Sequence, residues 1–210
     1  MIRLGITGGI GSGKSYVARL LSDELGVPVF DCDAQAKRLS DEDPLIREAL
    51  TRLVGPQVYD CGRLVRPALA VYLFQSEEHA AQVNASIHPA VHAHFLRWQQ
   101  EHEGQPLVAL ESAILYESGF NRFVDRILFV RASEPLRIQR AMQRDGASRQ
   151  QIEQRISRQH AQLYEPLADY VIDNEAATRA ELLTQLRLLL QDALAPRVVD
   201  DRATTPQQDT

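Results

Sequence analysis

The residues of this chain with the clearest chemistry lie near its N-terminus, in a segment that begins at Gly8 and ends at Ser15. It fits the phosphate-binding pattern G-x-x-x-x-G-K-[ST], with Gly8, Gly13, Lys14 and Ser15 at the fixed positions. Glycines let the backbone turn tightly, so that its N–H groups point at phosphate oxygens. Lys14 brings a positive charge to the β- and γ-phosphates, and the Ser15 hydroxyl can ligate Mg²⁺. The segment therefore predicts a binding site for a nucleoside triphosphate.

The segments on either side of this loop favour the same interpretation. Residues 2–7 form an apolar run typical of a buried strand, and residues 16–25 have apolar side chains at helical spacing before Gly26. A helix that follows the loop directs the positive end of its dipole at the phosphates. A glycine-rich turn that binds no ligand is the alternative, and the flanking elements disfavour it.

A pair of carboxylates follows the second predicted strand. Asp31 and Asp33 are two residues apart, so in an extended chain both side chains point to the same side. Ligands of open α/β sheets bind beyond the carboxyl ends of the strands, where a carboxylate can accept a proton from an acceptor hydroxyl. The alternative is that one or both aspartates cap the helix that follows.

An arginine-rich helical segment is the next candidate. Arg137, Arg140 and Arg144 share one helical face, and further arginines follow at positions 149, 155 and 158. Mobile arginines that close over a transferring phosphoryl group would neutralise its charge and exclude water. The alternative is a solvated face with local pairs, from Glu134 to Arg137 and from Arg144 to Asp145.

Two further sets of polar residues are weaker candidates. His88 and His92 are one helical turn apart, which makes a metal site conceivable, but no third ligand follows at a known spacing. Glu111, Tyr116 and Glu117 follow the third predicted strand. A carboxylate there can reach Mg²⁺ through water, bind the acceptor or cap a helix.

The elements that must position these residues indicate an α/β fold. Besides residues 2–7, four short apolar runs are typical of buried strands: 27–30, 107–110, 127–130 and 170–172. Helical patterns between them predict a five-stranded parallel sheet in a three-layer α/β/α arrangement. The last helix has an apolar stripe of core leucines: Leu182, Leu183, Leu186, Leu189 and Leu190.

We expect a single domain over residues 1–199 and a disordered polar tail over residues 200–210. The predicted core comprises residues 1–33, 104–134 and 167–195. Residues 34–103 are predicted to be a helical acceptor-binding insertion without a strand, and residues 135–166 a helical lid.

Composition narrows the classes of function. A formal net charge of −5 argues against a general nucleic-acid binder, and no segment is long and apolar enough to suggest a membrane span. Cys32 and Cys61 form no C-x-x-C pair and are expected to be reduced thiols of a cytoplasmic protein. We therefore expect no nucleic-acid or membrane partner.

Other nucleotide-binding classes fit less well. A regulatory GTPase needs an Asn-Lys-x-Asp motif, which the chain lacks, and a motor ATPase normally needs a larger chain and an Asp-Glu strand end. A small-molecule kinase with two insertions fits the length and layout. A protein that binds ATP only as a structural ligand is the remaining alternative.

In combination, these residues resemble the dephospho-CoA kinase family. The resemblance extends from Leu4 to Asn174 and includes the particular sequence Thr-Gly-Gly-Ile-Gly that opens the loop. The other matching residues are Asp31 to Asp33, Arg66 after Gly62, Asn84, His88-Pro89, Leu115, Glu117, Arg140, Arg144-Asp145, Gln159 and residues 168–174.

The resemblance implies a fold like that of nucleoside monophosphate kinases and a defined reaction. MgATP would donate its γ-phosphate to the ribose 3′-hydroxyl of dephospho-CoA, giving CoA and ADP, in a monomer or a small homo-oligomer. Asp33 matches the general base, and with Lys14 and Arg140 it would form the catalytic set.

The resemblance also implies the binding residues. The ATP-binding set would be Gly9, Gly11, Ser12, Gly13, Lys14, Ser15, Tyr16, Arg140 and Asn174, with Ser15 also holding the metal. The acceptor-binding set would be Thr7, Asp31, Asp33, Arg66, His88, Leu115 and Glu117.

Two departures from the family pattern concern these sets. The family often has Val-Pro-Leu-Leu after the third strand, where this chain has Glu111-Ser112-Ala113-Ile114-Leu115. The family also tends to have a cation shortly after the lid glutamine, whereas Gln159 is followed by none; Arg158 is a candidate substitute.

Overall fold

A computed structural model describes residues 1–157 and 159–195 of the chain. Its central sheet has five parallel strands: β1 (Ile2–Thr7), β2 (Val29–Asp31), β5 (Leu107–Glu111), β6 (Arg126–Arg131) and β7 (Tyr170–Asp173). They lie in the order β2-β5-β1-β6-β7, with β1 at the centre. The predicted fold class is confirmed, and each predicted strand overlaps an observed one. The predicted tail and Arg158 lie outside the described residues.

Helices cover both faces of this sheet. Helix α1 (Lys14–Leu25) follows the phosphate-binding loop, and α9 (Arg179–Leu194) packs beside it near the end of the described chain. Thr178 and Glu181 form a capping box at the start of α9. Four of the five predicted leucines of α9 are buried with α1 and β1 in one apolar cluster, and Leu190 packs against it.

The other face of the sheet carries residues 34–103, the segment predicted as an acceptor-binding insertion. It contains most of α2 (Cys32–Glu42) and all of α3 (Pro44–Val54), α4 (Arg66–Leu73) and α5 (Glu77–Glu101). A second apolar cluster joins these helices to the sheet through Phe30, Leu110 and Leu115. Helical structure therefore dominates this segment, as predicted.

A small hairpin corrects the expectation that this segment has no strand. Strands β3 (Tyr59–Asp60) and β4 (Arg63–Leu64) pair antiparallel. The two residues between them, Cys61 and Gly62, both have positive φ, at 46° and 79°. Two positive φ values are what a two-residue hairpin turn of type I′ needs. Strands of two residues are too short to show an alternating pattern, so the sequence gives no signal for them.

The segment predicted as a lid, residues 135–166, lies between β6 and β7. It contains nearly all of α6 (Glu134–Asp145), together with α7 (Arg149–Ser157) and α8 (Ala161–Tyr164). Helices α6 and α7 share a small apolar cluster of their own: Ile138, Ala141, Ile152 and Ile156. Within the described part of the chain, no helix has the length and apolar character of a membrane span.

Candidate active site

The phosphate-binding loop follows β1 directly and turns into α1. Gly11 and Gly13 have φ of +77° and +94°, in the left-handed region that side chains other than glycine rarely adopt. A Cβ atom at Gly13 would lie 2.1 Å from Nδ2 of Asn174, and one at Gly11 would lie 2.1 Å from the carbonyl oxygen of Arg137. Conformation and contact both require glycine at these positions.

Lys14 and Ser15 open α1, where the loop directs them toward the end of β5. Lys14 is buried, and its Nζ lies 3.9 Å from Oε1 of Glu111. The Ser15 hydroxyl donates a hydrogen bond of 3.3 Å to the same oxygen. A lysine, a hydroxyl and a carboxylate therefore meet at one point beyond the carboxyl ends of two strands.

Glu111 is the buried carboxylate of this group. Burial raises its pKa to about 7, the charge of Lys14 opposes that rise, and the charges of Asp31 and Asp33 add to it. In the β2–β5 register Asp31 is paired with Glu111, so the acidic residues of both strands converge on one edge of the sheet. The sequence indicated Glu111 only as one of two acidic residues after the third strand, together with Glu117.

Asp31, the last residue of β2, and Asp33, two residues later, have different environments. Oδ1 of Asp31 accepts a hydrogen bond of 2.9 Å from the Ala34 N–H and caps α2, which is the alternative that the sequence left open for one of them. Asp33 is exposed in the first turn of α2. Asp33 thus has a side chain that can reach a ligand, and its role stays a prediction.

Two predicted nucleotide-binding residues lie together behind the loop. Asn174 is buried, and its Nδ2 donates a hydrogen bond of 2.9 Å to the carbonyl oxygen of Ser12. Arg140 donates from Nη2 to the carbonyl oxygen of Asn174 at 3.0 Å, while its Nη1 is buried without a hydrogen-bond partner among the described residues. An unsatisfied guanidinium nitrogen beside the loop is a candidate donor to a ligand anion.

The other arginines of α6 have separate partners. Arg144 pairs with Asp145, as the alternative interpretation of this segment predicted, and the carboxylates of Asp33 and Glu111 add to the rise in its pKa. Arg137 is buried and forms no ion pair with Glu134; its Nε donates to the carbonyl oxygen of Ile10 at 3.0 Å. Sequence spacing placed these residues on one face but did not reveal that Arg137 contacts the loop.

The predicted acceptor residues are spread over several elements. Thr7 is buried at the end of β1, Arg66 is exposed and pairs with Asp41 at 3.3 Å, and Glu117 is exposed after β5. The side chain of Leu115 is fully buried in the apolar cluster on the insertion face. In this conformation Leu115 therefore contributes packing rather than a surface for a ligand.

The histidine pair on α5 has no completed metal site. Burial lowers the pKa of both His88 and His92, and the charge of His92 adds to the effect on His88. Over residues 1–157 and 159–195, no group of three His, Cys, Asp or Glu side chains is placed to hold a metal ion. His88 is half-buried, and contact with an acceptor stays a prediction for it.

The group at the loop is suited to Mg²⁺ only together with a nucleotide. Magnesium takes oxygen ligands and in phosphoryl-transfer sites is held by few protein groups plus substrate phosphates. The exposed Ser15 hydroxyl, with Glu111 adjacent, provides such a partial oxygen set. The residues present therefore fit a metal that arrives with a triphosphate.

Comparison with known proteins shows which family the chain is similar to. A profile of the family described as dephospho-CoA kinase matches residues 2–180. The dephospho-CoA kinase of Bacteroides fragilis strain YCH46 is 50% identical over 158 residues, which cover 75% of this chain and 77% of that protein. That of Porphyromonas gingivalis is 47% identical over 176 residues, covering 83% and 86%.

Solved structures show the same fold. The crystal structure of TT1252 from Thermus thermophilus superposes with a TM-score of 0.79 at 36% identity, covering 91% of this chain and 97% of that one. Dephospho-CoA kinase from Campylobacter jejuni superposes with a TM-score of 0.64 at 21% identity, covering 90% and 96%, which supports the fold alone. The family profile spans most of the chain, and two members of the family are 50% and 47% identical to it. The chain therefore belongs to the dephospho-CoA kinase family.

Proposed function

We propose that this chain is an ATP-dependent kinase that phosphorylates dephospho-CoA on its ribose 3′-hydroxyl, giving CoA and ADP. Membership of the dephospho-CoA kinase family supports the reaction. The observation that carries the proposal is the meeting of Lys14, Ser15 and Glu111 at the end of a glycine loop, with Asp33 exposed at the neighbouring strand end.

The donor side of the reaction is assigned to the loop and its neighbours. The loop N–H groups and Lys14 bind the phosphates, and Gly9, Ser12 and Tyr16 belong to the same nucleotide-binding segment. Asn174 fixes the loop through Ser12, and Arg140 places a spare donor nitrogen beside it. Mg²⁺, held by Ser15 with the nucleotide, would screen the charge of the transferring group.

The acceptor side is assigned to the exposed carboxylate of Asp33. It accepts the hydrogen bond of the 3′-hydroxyl and orients that oxygen in line with the γ-phosphate, while Asp31 remains the cap of α2. Arg66, His88 and Glu117 are proposed to contact the acceptor. Arg140, and with it Arg144, is proposed to stabilise the charge that develops during transfer.

An acceptor panel tests this proposal. Purified protein with MgATP is offered dephospho-CoA, adenosine, AMP and CMP separately, and release of ADP is measured. We expect turnover with dephospho-CoA alone. Turnover with a nucleoside or nucleotide instead would refute the acceptor. ATP binding without turnover of any acceptor would refute the kinase activity and favour a protein that holds ATP as a structural ligand. We also expect the enzyme to use Mg²⁺ and to work in the cytoplasm.

A further inference from the structure

The backbone of Ile10, in the phosphate-binding loop, is hydrogen-bonded on both sides to side chains of the predicted lid. Its N–H donates to Oε1 of Gln159 at 2.7 Å, and its carbonyl oxygen accepts from Nε of Arg137 at 3.0 Å. Arg137 lies in α6, where the chain enters the lid, and Gln159 lies after α7, on the way out. One loop residue is therefore tied to both ends of the segment.

The side chain of Ile10 strengthens this link. It packs against the small apolar cluster that joins α6 to α7. Gln159 is itself anchored, because its Nε2 donates a hydrogen bond of 3.2 Å to the carbonyl oxygen of Ala113, after β5. Ile10 is thus a residue of the phosphate-binding loop whose side chain packs against the predicted lid.

Close packing leaves little free movement between α6 and the loop. A Cβ atom at Gly9 would lie 2.2 Å from Nη2 of Arg137, and one at Gly11 would meet the Arg137 backbone. The glycines on either side of Ile10 therefore let α6 approach the loop directly. A shift of α6 must consequently move the Ile10 peptide or break the Arg137 hydrogen bond.

Arg137 occupies this position at a cost. The residue is only 6% exposed, and over residues 1–157 and 159–195 it forms no ion pair. Burial of the guanidinium is unfavourable and lowers its pKa, and the charge of Glu134 offsets that effect only in part. An unbranched apolar side chain of similar length, such as methionine, would occupy much of the same space without that cost, so packing alone does not explain an arginine here.

We propose that Arg137 and Gln159 are positioning residues that couple the lid to the phosphate-binding loop through the Ile10 peptide. When both hydrogen bonds are formed, the N–H groups of the loop are oriented to bind phosphates. When α6 or the segment that contains Gln159 moves, the Ile10 peptide is released and phosphate binding weakens. Because coupling between two events is reciprocal, a bound nucleotide also favours the lid position shown here. The inference rests on the proposed function only where KM for dephospho-CoA is measured. The measurement of ADP affinity does not depend on that function.

A pair of neutral variants isolates the Arg137 hydrogen bond. The amide nitrogen of glutamine is as many bonds from Cα as Nε of arginine, so Arg137→Gln keeps a donor for Ile10, whereas Arg137→Met keeps a similar length without one. We expect Arg137→Met to weaken ADP affinity about tenfold, and Arg137→Gln to remain within about threefold of the parent. Equal losses in the two variants would overturn the proposal.

The second hydrogen bond is tested by combination. Gln159→Met should weaken ADP affinity by a similar factor, and the double variant with Arg137→Met should lose less than the product of the two factors, since both act on one peptide. Independent, multiplicative losses would refute coupling through Ile10. The thermal unfolding midpoint of each variant fixes a temperature at which all are folded, and affinities are compared there.

A matched control removes a lid charge away from the loop. Arg149 is exposed and pairs with Glu153 on α7, so Arg149→Met should leave ADP affinity unchanged. A tenfold loss there would show that lid charge, not the Ile10 contact, sets the affinity. For the variants at positions 137 and 159 we expect KM for dephospho-CoA within about twofold of the parent. If the parent does not phosphorylate dephospho-CoA, the proposed function fails, while the ADP affinities still decide the coupling.

Discussion

Nζ of Lys14 lies 3.9 Å from Oε1 of Glu111, and both side chains are more than nine-tenths buried. The carboxylate is the ion-pair partner of the loop lysine, and it also accepts the Ser15 hydroxyl hydrogen bond. A triphosphate must compete with Glu111 for both groups.

Glu111→Gln removes the charge of this carboxylate at nearly constant size. We expect ADP to bind at least as tightly without Mg²⁺, because a negative charge near the phosphates is gone. The gain in affinity on adding Mg²⁺ should fall about tenfold, since the oxygen set beside Ser15 is weakened. Calorimetric titration with and without Mg²⁺ measures both, with exposed Glu48→Gln as the control. An unchanged gain would contradict a role of Glu111 toward the metal.

Two glycines with similar backbone conformation allow the effect of backbone strain to be separated from the effect of a steric contact with a neighbouring side chain. Gly13 and Gly26 begin and end α1 with φ of +94° and +67°, but only a Cβ at Gly13 meets a neighbour, Asn174, within 3 Å. Gly26→Ala should cost roughly 1–2 kcal/mol of stability and leave ATP affinity unchanged. Gly13→Ala should lower ATP affinity at least tenfold as well, because Asn174 must move. Denaturation and nucleotide titration test the pair; equal ATP affinities would contradict the packing argument.

Asp33→Asn tests the orienting carboxylate. Asparagine has nearly the same shape but accepts the acceptor hydroxyl hydrogen bond less strongly, so kcat should fall about 10²-fold or more while ATP affinity stays near normal. Steady-state kinetics with MgATP and dephospho-CoA give the result, and exposed Asp23→Asn on α1 is the matched control. A variant with nearly full kcat would remove Asp33 from its role.

The ion pair between Arg3 and Asp125 predicts a pH dependence of stability. Three hydrogen bonds join these residues, and they hold the pKa of Asp125 below its ordinary value of 3.8. A carboxyl with a lowered folded-state pKa contributes stability above pH 3.8 and loses it as the pH falls through the folded value.

Asp125→Asn should therefore be less stable than the parent at pH 7, and the difference should shrink as the pH falls further below 3.8. Urea denaturation at pH 7 and at a series of pH values below 3.8 measures this difference. A gap that stays constant on acidification would show that Asp125 contributes through its shape and not through its charge.

Much of the fold could be predicted because the central strands of its sheet are largely buried on both faces. Runs such as residues 107–110 are continuously apolar. Glycines and helical segments separate these runs, so strands and helices alternate along the chain, which is typical of a parallel sheet. The hairpin at Cys61 and Gly62 could not be predicted, since its geometry depends on local φ values and not on a periodic pattern.

The residue types of the site could be predicted better than the contacts between them. Helical spacing places Arg137 and Arg140 on one face of a helix, but it does not show which residues that face contacts. The structure directs Arg137 to Ile10 and Arg140 to Asn174, two long-range contacts set by how α6 packs on the loop. The burial of Leu115 likewise depends on tertiary packing that no local pattern encodes.

The most direct test of the central claim is the position of the transferred phosphate. Purified protein is incubated with MgATP and dephospho-CoA, and the product is examined by ³¹P NMR and compared with authentic CoA. We predict a single new monoester signal on the ribose 3′-oxygen, formed with one ADP per phosphate, and no product from 3′-deoxy-dephospho-CoA. A phosphate on another oxygen, or ADP release without a phosphorylated acceptor, would contradict the account.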